Sequence, residues 1–187
     1  MQTLIKNGRV IDPANQIDGS FDILISNGKI EAVVPKGKLS GSNIKDVKFI
    51  DAKDCVVAPG FCDMHVHFRE PGLTDKGDIH SESRAAVAGG TTTFMDMPNV
   101  IPPTLNLDLW REKISIAEQS ASANFSFYMG TSNTNIDEIK ATLEQLPIGL
   151  RKISSLRYGE NPHQSAALYT SGNLSLIHIS EPTRRTP

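Results

Sequence analysis

Residues 60–72 read GFCDMHVHFREPG. His65 and His67 stand two apart, and Arg69 follows at the same interval. In a strand, residues two apart point to one side. Asp63, His65 and His67 would then share a face, with Met64, Val66 and Phe68 on the other. Two imidazoles set roughly 6–7 Å apart by strand rise can grip one metal ion. Zinc suits neutral imidazole. A pair is not a complete site, because a catalytic zinc normally takes about three protein ligands and a water. The alternative is a solvated loop with two unrelated histidines. Context favours the metal: the apolar run CVVAPGF precedes the pair, and Arg69 and a Pro-Gly turn follow it.

The elements that must position these residues divide into two patterns. Residues 1–57 read as short strands and turns, with Asn7-Gly8 and Asn27-Gly28 as tight-turn signals, since both tolerate positive φ. VKFIDAKDCVVAPG reads as strand, turn, strand. From residue 58 to 146 the rhythm becomes strand and helix. HSESRAAVAGG has helical spacing and a Gly-Gly stop. TTTFMDMPN is β-branched and aromatic, hence a strand. LNLDLWREKISIAEQSAS is an amphipathic helix, with Leu105, Leu109, Ile114 and Ala117 near one stripe and Trp110 as an apolar anchor. NFSFYMG is a third strand and NIDEIKATLEQL a third helix, with Asn135 or Asp137 available as a cap. This alternation argues for a parallel α/β arrangement. Residues 147–187 show no further strand–helix unit, and 174–187 are expected to lack fixed structure.

The 187 residues carry a net charge of -2 with 39% apolar and 21% charged side chains. A packed core is possible, and no basic block suggests nucleic acid. No apolar run approaches the ~20 residues needed to span a bilayer, and the start does not read as a signal peptide. Cys55 and Cys62 form no C-x-x-C pair, so a reduced state and a cytoplasmic location are expected. His80 reads as a surface histidine at a helix start, and Cys62 as a small core residue. Asp63 reads as a buried structural acid or a support for the histidines. Asp96 and Met97 read as packing and strand-end groups.

GFCDMHVHFREPG, followed by GGTTTFMDMPNVIPPT, closely resembles the dihydroorotases of the amidohydrolase superfamily. The likeness runs from NGRVIDP to about Asn135. It implies an α/β fold in which a small β-sandwich segment precedes an incomplete (β/α)8 TIM barrel, of which this chain would carry the first three βα units. It implies that His65 and His67 are metal ligands for Zn2+. It also implies that Arg69 and Asn99 bind the carboxylate of a small-molecule substrate, dihydroorotate or carbamoyl aspartate. A guanidinium fork is suited to a carboxylate, and a side-chain amide adds a neutral donor. The reaction would be reversible hydrolysis of a cyclic amide in pyrimidine biosynthesis. The family's bridging carboxylate or carboxylated lysine, its two further histidines and its catalytic aspartate have no matching position here, so the chain by itself is expected to be inactive. The resemblance leaves room for a homo-oligomeric full-length parent, with no nucleic-acid or membrane partner. Hydantoinases and allantoinases are close alternatives, and a non-catalytic amidohydrolase-like scaffold is a third. Intact HVH, Arg69 and Asn99 speak against the scaffold.

Downstream, LPIGLRKISSLRYGENPHQSAALY resembles the bifunctional purine-synthesis enzyme that joins formyltransferase and IMP cyclohydrolase activities, over residues of about 146–171. There Arg157 and Tyr158 match nucleotide-binding residues. Residues 174–185, LSLIHISEPTRR, resemble a translated sequencing adapter. These resemblances imply a foreign tail, with a junction between about Asn135 and Pro147.

Overall fold

The computed structural model describes residues 2–39, 47–132 and 134–145, together with the backbone of 153–155, 165–168 and 177–180. The chain divides into two compact units, residues 1–61 with 175–187, and residues 62–174.

The first unit is a mixed sheet. Its strands are β1 (Gln2–Lys6), β2 (Arg9–Asp12), β3 (Ile17–Ser26), β4 (Lys29–Pro35), β5 (Val47–Asp51) and β6 (Val56–Pro59). β3 is the spine. It pairs antiparallel with β2 at one end, with β1 towards the other, and with β4 along Phe21–Ser26. β5 runs parallel to β1, and β6 parallel to β2. The strands expected to form a sandwich thus lie in one branched sheet. Its core is Ile5, Val10, Ile23, Ala52 and Val57. Asn27 (φ 50) and Gly28 (φ 74) close the β3–β4 hairpin as their types demand. Asn7 (φ 68) also turns left-handed, but β1 and β2 do not pair with each other, so Asn7-Gly8 is a corner between two partners of β3.

The second unit alternates strand and helix. β7 (Phe61–Val66), α1 (Ile79–Ala88), β8 (Thr91–Asp96), α2 (Leu107–Ser120), β9 (Asn124–Phe127), β10 (Met129–Gly130) and α3 (Ile136–Gln145) follow in order. β8 lies between β7 and β9 and runs parallel to β9. Each of the first two helices starts where its sequence provides an acceptor. Asp78 takes the Ser81 N–H at 2.7 Å and Asn106 that of Leu109 at 2.9 Å. Phe68, Ile79, Phe94, Leu107, Trp110, Phe127 and Met129 form the core, and burying a side chain such as Phe94 stabilises by about 1.5–3 kcal/mol.

Three expectations change. The buried stripe of α2 is Leu107, Trp110, Lys113 and Ala117, not one through Leu105 and Leu109. A lysine sits in mid-stripe because a buried partner awaits it, which hydrophobic periodicity cannot register. Asn135 precedes α3, but its side chain turns away from the helix. It donates to Leu105 O at 2.7 Å and Gly130 O at 2.9 Å, and accepts from Ser132 N at 2.7 Å. Last, residues 174–187, expected to lack fixed structure, contain a strand at Ile177–Ser180. The backbone forms β11 (Ile153–Ser155), β12 (Ser165–Leu168) and β13 (Ile177–Ser180). β13 pairs antiparallel with β6, where an unpaired strand edge offers N–H and C=O groups to a β-branched segment. Arg157 and Tyr158 lie outside the described residues.

Candidate metal and substrate site

β7 ends at Val66, and His67, Phe68 and Arg69 leave its tip. The His65 and His67 rings lie edge to face with centroids 5.2 Å apart. Both residues are exposed. His67 Nδ1 meets Asn99 Oδ1 at 2.8 Å. An amide oxygen only accepts, so in the neutral ring this contact selects the Nδ1–H tautomer, which leaves the Nε2 lone pair for a ligand. Asn99 retains its amide hydrogens for a second acceptor.

Two loops carry these groups. The first runs from His67 to Gly72, the second from Met97 to Thr104. They are joined where Ile101 N donates to Pro71 O at 3.1 Å. Gly72 has φ 79, and a Cβ there would fall 2.0 Å from Ile101 O, so no larger residue fits without moving the second loop. Arg69 is half-buried and holds φ 69, an uncommon backbone for a residue with a Cβ. Its carbonyl accepts from Leu73 N. Glu70 Oε2 takes the Ile79 N–H at 2.8 Å, anchoring the first loop to the start of α1.

Beneath the loops is a buried ion pair. Lys113 Nζ lies 2.7 Å from Asp96 Oδ2, with both side chains fully excluded from solvent. Nζ also donates to Met97 O at 3.0 Å and sits 4.9 Å from the centre of the Phe127 ring. Asp96 Oδ1 accepts from Phe68 N at 2.9 Å and Met97 N at 3.0 Å. Burial pushes the Lys113 ammonium below its ordinary value, against the pull of Asp96.

The residues set aside from the sequence fare differently. His80 Nδ1 contacts Ser120 O at 3.2 Å, the arrangement of a satisfied surface histidine. Asp63 is exposed, not buried, and its carboxylate accepts from His65 N at 3.0 Å. Cys62 is exposed, not a core residue. Partial burial of the sulfur and the nearby Asp63 charge push its thiol upward, away from a thiolate nucleophile. Sequence reasoning passed over Lys113. The only trace of it was a charge interrupting an apolar stripe.

The donor set suits a zinc ion as far as it goes, since two neutral imidazoles at a strand tip are ordinary zinc ligands. Among the described residues no group of three or more His, Cys, Asp or Glu is placed to hold a metal.

In fold, the chain is similar to hydantoinases. It superposes on the L-hydantoinase (dihydropyrimidinase) of Arthrobacter aurescens with a TM-score of 0.66 and 31% identity, over 76% of this chain and 30% of that one. In sequence, its N-terminal part is similar to dihydroorotases. It is 50% identical to that of Aquifex aeolicus, over 57% of this chain and 24% of the relative. With that of Pelobacter propionicus it shares 44% identity, over 66% of this chain and 28% of the relative. The chain thus spans about a quarter of the length of these relatives. A second family also matches, the AICARFT/IMPCHase bienzyme, over residues 116–182. That match begins inside α2, upstream of the junction expected near 135–147.

Proposed function

We propose that residues 2–145 are the N-terminal part of a cyclic amidohydrolase of the dihydroorotase type, a β segment followed from about residue 58 by the opening βα units of a (β/α)8 barrel, acting in the cytoplasm in pyrimidine biosynthesis. The observation that carries this reading is the His65–His67 pair at the tip of β7, with His67 Nδ1 held by Asn99. The 50% identity to a dihydroorotase supports it over the hydantoinase alternative, which the fold neighbour favours. His65 and His67 would hold zinc, with the Nδ1–H contact turning Nε2 of His67 to the ion. When bound, zinc supplies Lewis acidity to the amide carbonyl and lowers the pKa of a water. Arg69 and the free amide hydrogens of Asn99 would hold the carboxylate of dihydroorotate or carbamoyl aspartate, the guanidinium by charge and paired donors, the amide by a neutral hydrogen bond.

The test is Zn2+ competition against a chromophoric chelator with the 187-residue chain, His65→Ala and His67→Ala. Each substitution is expected to weaken binding at least tenfold. Equal affinity in all three proteins would overturn the metal assignment. The same chain, assayed with dihydroorotate and zinc, is expected to give no turnover above a metal-only blank. General acid–base catalysis is worth ~10²–10⁴ in rate, and no described residue stands in for the family's proton-transferring aspartate. Turnover above that blank would overturn this expectation.

A further inference from the structure

We propose that Asp96 is a positioning residue that aligns the two loop tips bearing His67, Arg69 and Asn99, and that Lys113 is the anchor holding Asp96 in place. The inference rests on the site reading above, but its structural core can be tested apart from it.

β7 ends at Val66, whose carbonyl accepts from Met97 N at 3.0 Å. Phe68 N lies beyond the strand and has no carbonyl of β8 to bond. Asp96 Oδ1 takes that role at 2.9 Å, while also reaching Met97 N. One carboxylate oxygen therefore bridges the backbone just after His67 to the backbone two residues before Asn99. The other oxygen faces Lys113 at 2.7 Å, and Lys113 also grips Met97 O. The pair fixes both loop stems to α2 at once. His67 and Asn99 are each exposed and belong to different loops, yet their side chains meet at 2.8 Å. Such a contact at an exposed site needs its two backbones held from beneath. Arg69 shows the same hold: one residue past the clamped Phe68 amide, it keeps φ 69, a conformation that persists only where surrounding contacts over-determine it.

Burying a whole ion pair is a poor way to gain stability, since apolar residues of similar volume often serve as well or better. Leu107, Trp110 and Ala117 surround Lys113 on the same stripe, so an apolar residue there would suit the helix. A charge in that place is explained by the bonds it makes to the site's backbone.

Two double variants separate positioning from charge burial, since both remove the buried charges together. Asp96→Asn with Lys113→Met keeps an oxygen for the Phe68 N–H; Asp96→Ala with Lys113→Met removes it. Long-range 1H–15N correlation of the imidazoles reads the His67 tautomer without any metal. The Asn double is expected to keep the Nδ1–H form of the parent chain, and the Ala double to show mixed tautomers. Zinc affinity should stay within about threefold of the parent in the first and fall tenfold or more in the second. Leu107→Ala, which loosens the same core but leaves Asp96 and Lys113 in place, should leave both readouts unchanged in the folded fraction. Equal tautomer populations in the two doubles would overturn the proposal. If His67→Ala binds zinc as the parent does while the tautomers still differ, the metal reading fails and the positioning role stands. Should neither double fold, amide exchange of Phe68 in the parent chain decides. Protection comparable to β8 is expected, and free exchange would overturn the clamp.

Discussion

Each unit buries one aspartate beside a lysine, and the two pairs are built differently. In the first unit Asp22 is fully buried, but Lys6 stands 3.8 Å away with its side chain 30% exposed. Asp22 Oδ2 also accepts from Gly37 N at 2.8 Å, and Oδ1 has no partner among the described residues. In the second unit Asp96 and Lys113 touch at 2.7 Å with no exposure on either side, and Asp96 Oδ1 serves two backbone amides. The first pair is a lysine reaching in from the rim, with water able to serve its ammonium. The second is a fixed link in the layer between sheet and helix, where neither charge has another source of solvation. The same two residue types therefore carry different consequences, set by depth and by what else each oxygen holds.

Substitution of each lysine tests that contrast most strongly. Lys113→Met leaves the Asp96 carboxylate buried without its cation and should cost about 3–5 kcal/mol. Lys6→Met, at the partly exposed pair, should cost ~0–1 kcal/mol. Urea midpoints of the two variants measure the difference, and comparable losses would erase the distinction.

The turns offer a second, smaller contrast between the units. Gly28 and Gly72 are both left-handed, but a Cβ at Gly28 meets nothing within 4 Å, whereas one at Gly72 strikes Ile101 O. Gly28→Ala should cost only the left-handed backbone, roughly 1–2 kcal/mol. Gly72→Ala should add ~1–3 kcal/mol for the displaced loop, and should disturb the His67–Asn99 contact. Thermal unfolding separates them, and an equal cost would mean that the second loop yields freely.

Exposed carboxylates give the smallest effects. Hydrogen bonds from the Ser81 backbone and hydroxyl hold the Asp78 carboxyl below its usual 3.8, and the Arg9 guanidinium does the same for Asp18. A depressed folded pKa contributes stability above pH 3.8 that is lost as pH falls through the folded value. Asp78→Ala should therefore speed amide exchange in the first turn of α1 at neutral pH and make no difference at strongly acid pH. An effect that persists in acid would mean the cap does not act through its charge. Asp18→Asn should change stability least, by an amount that salt removes.

Much of the second unit was legible because local signals agreed with tertiary demand. Asp78 and Asn106 mark helix starts where their side chains can accept from the first turn, and Gly89-Gly90 marks a stop. The H-x-H spacing and its Pro-Gly turn place two imidazoles at a strand tip without knowledge of any neighbour. What lay between elements was not legible in the same way. β1 and β2 flank a turn signal yet both pair with β3, because which strands meet depends on the whole sheet. Asn135 stands where a cap belongs, but Leu105 and Gly130 offer it carbonyls from other segments.

The sequence by itself determined the periodicities, the caps, the left-handed turn at Asn27-Gly28 and the histidine pair, since each depends on residues within a few positions of one another. Only the tertiary structure decided that Lys113 reaches Asp96, that Asp96 serves Phe68, and that His67 meets Asn99. Those contacts join residues 17–32 positions apart. Their partners are brought within reach by burial of the Phe94, Trp110 and Phe127 core, and the low dielectric there makes an unpaired charge too costly to leave.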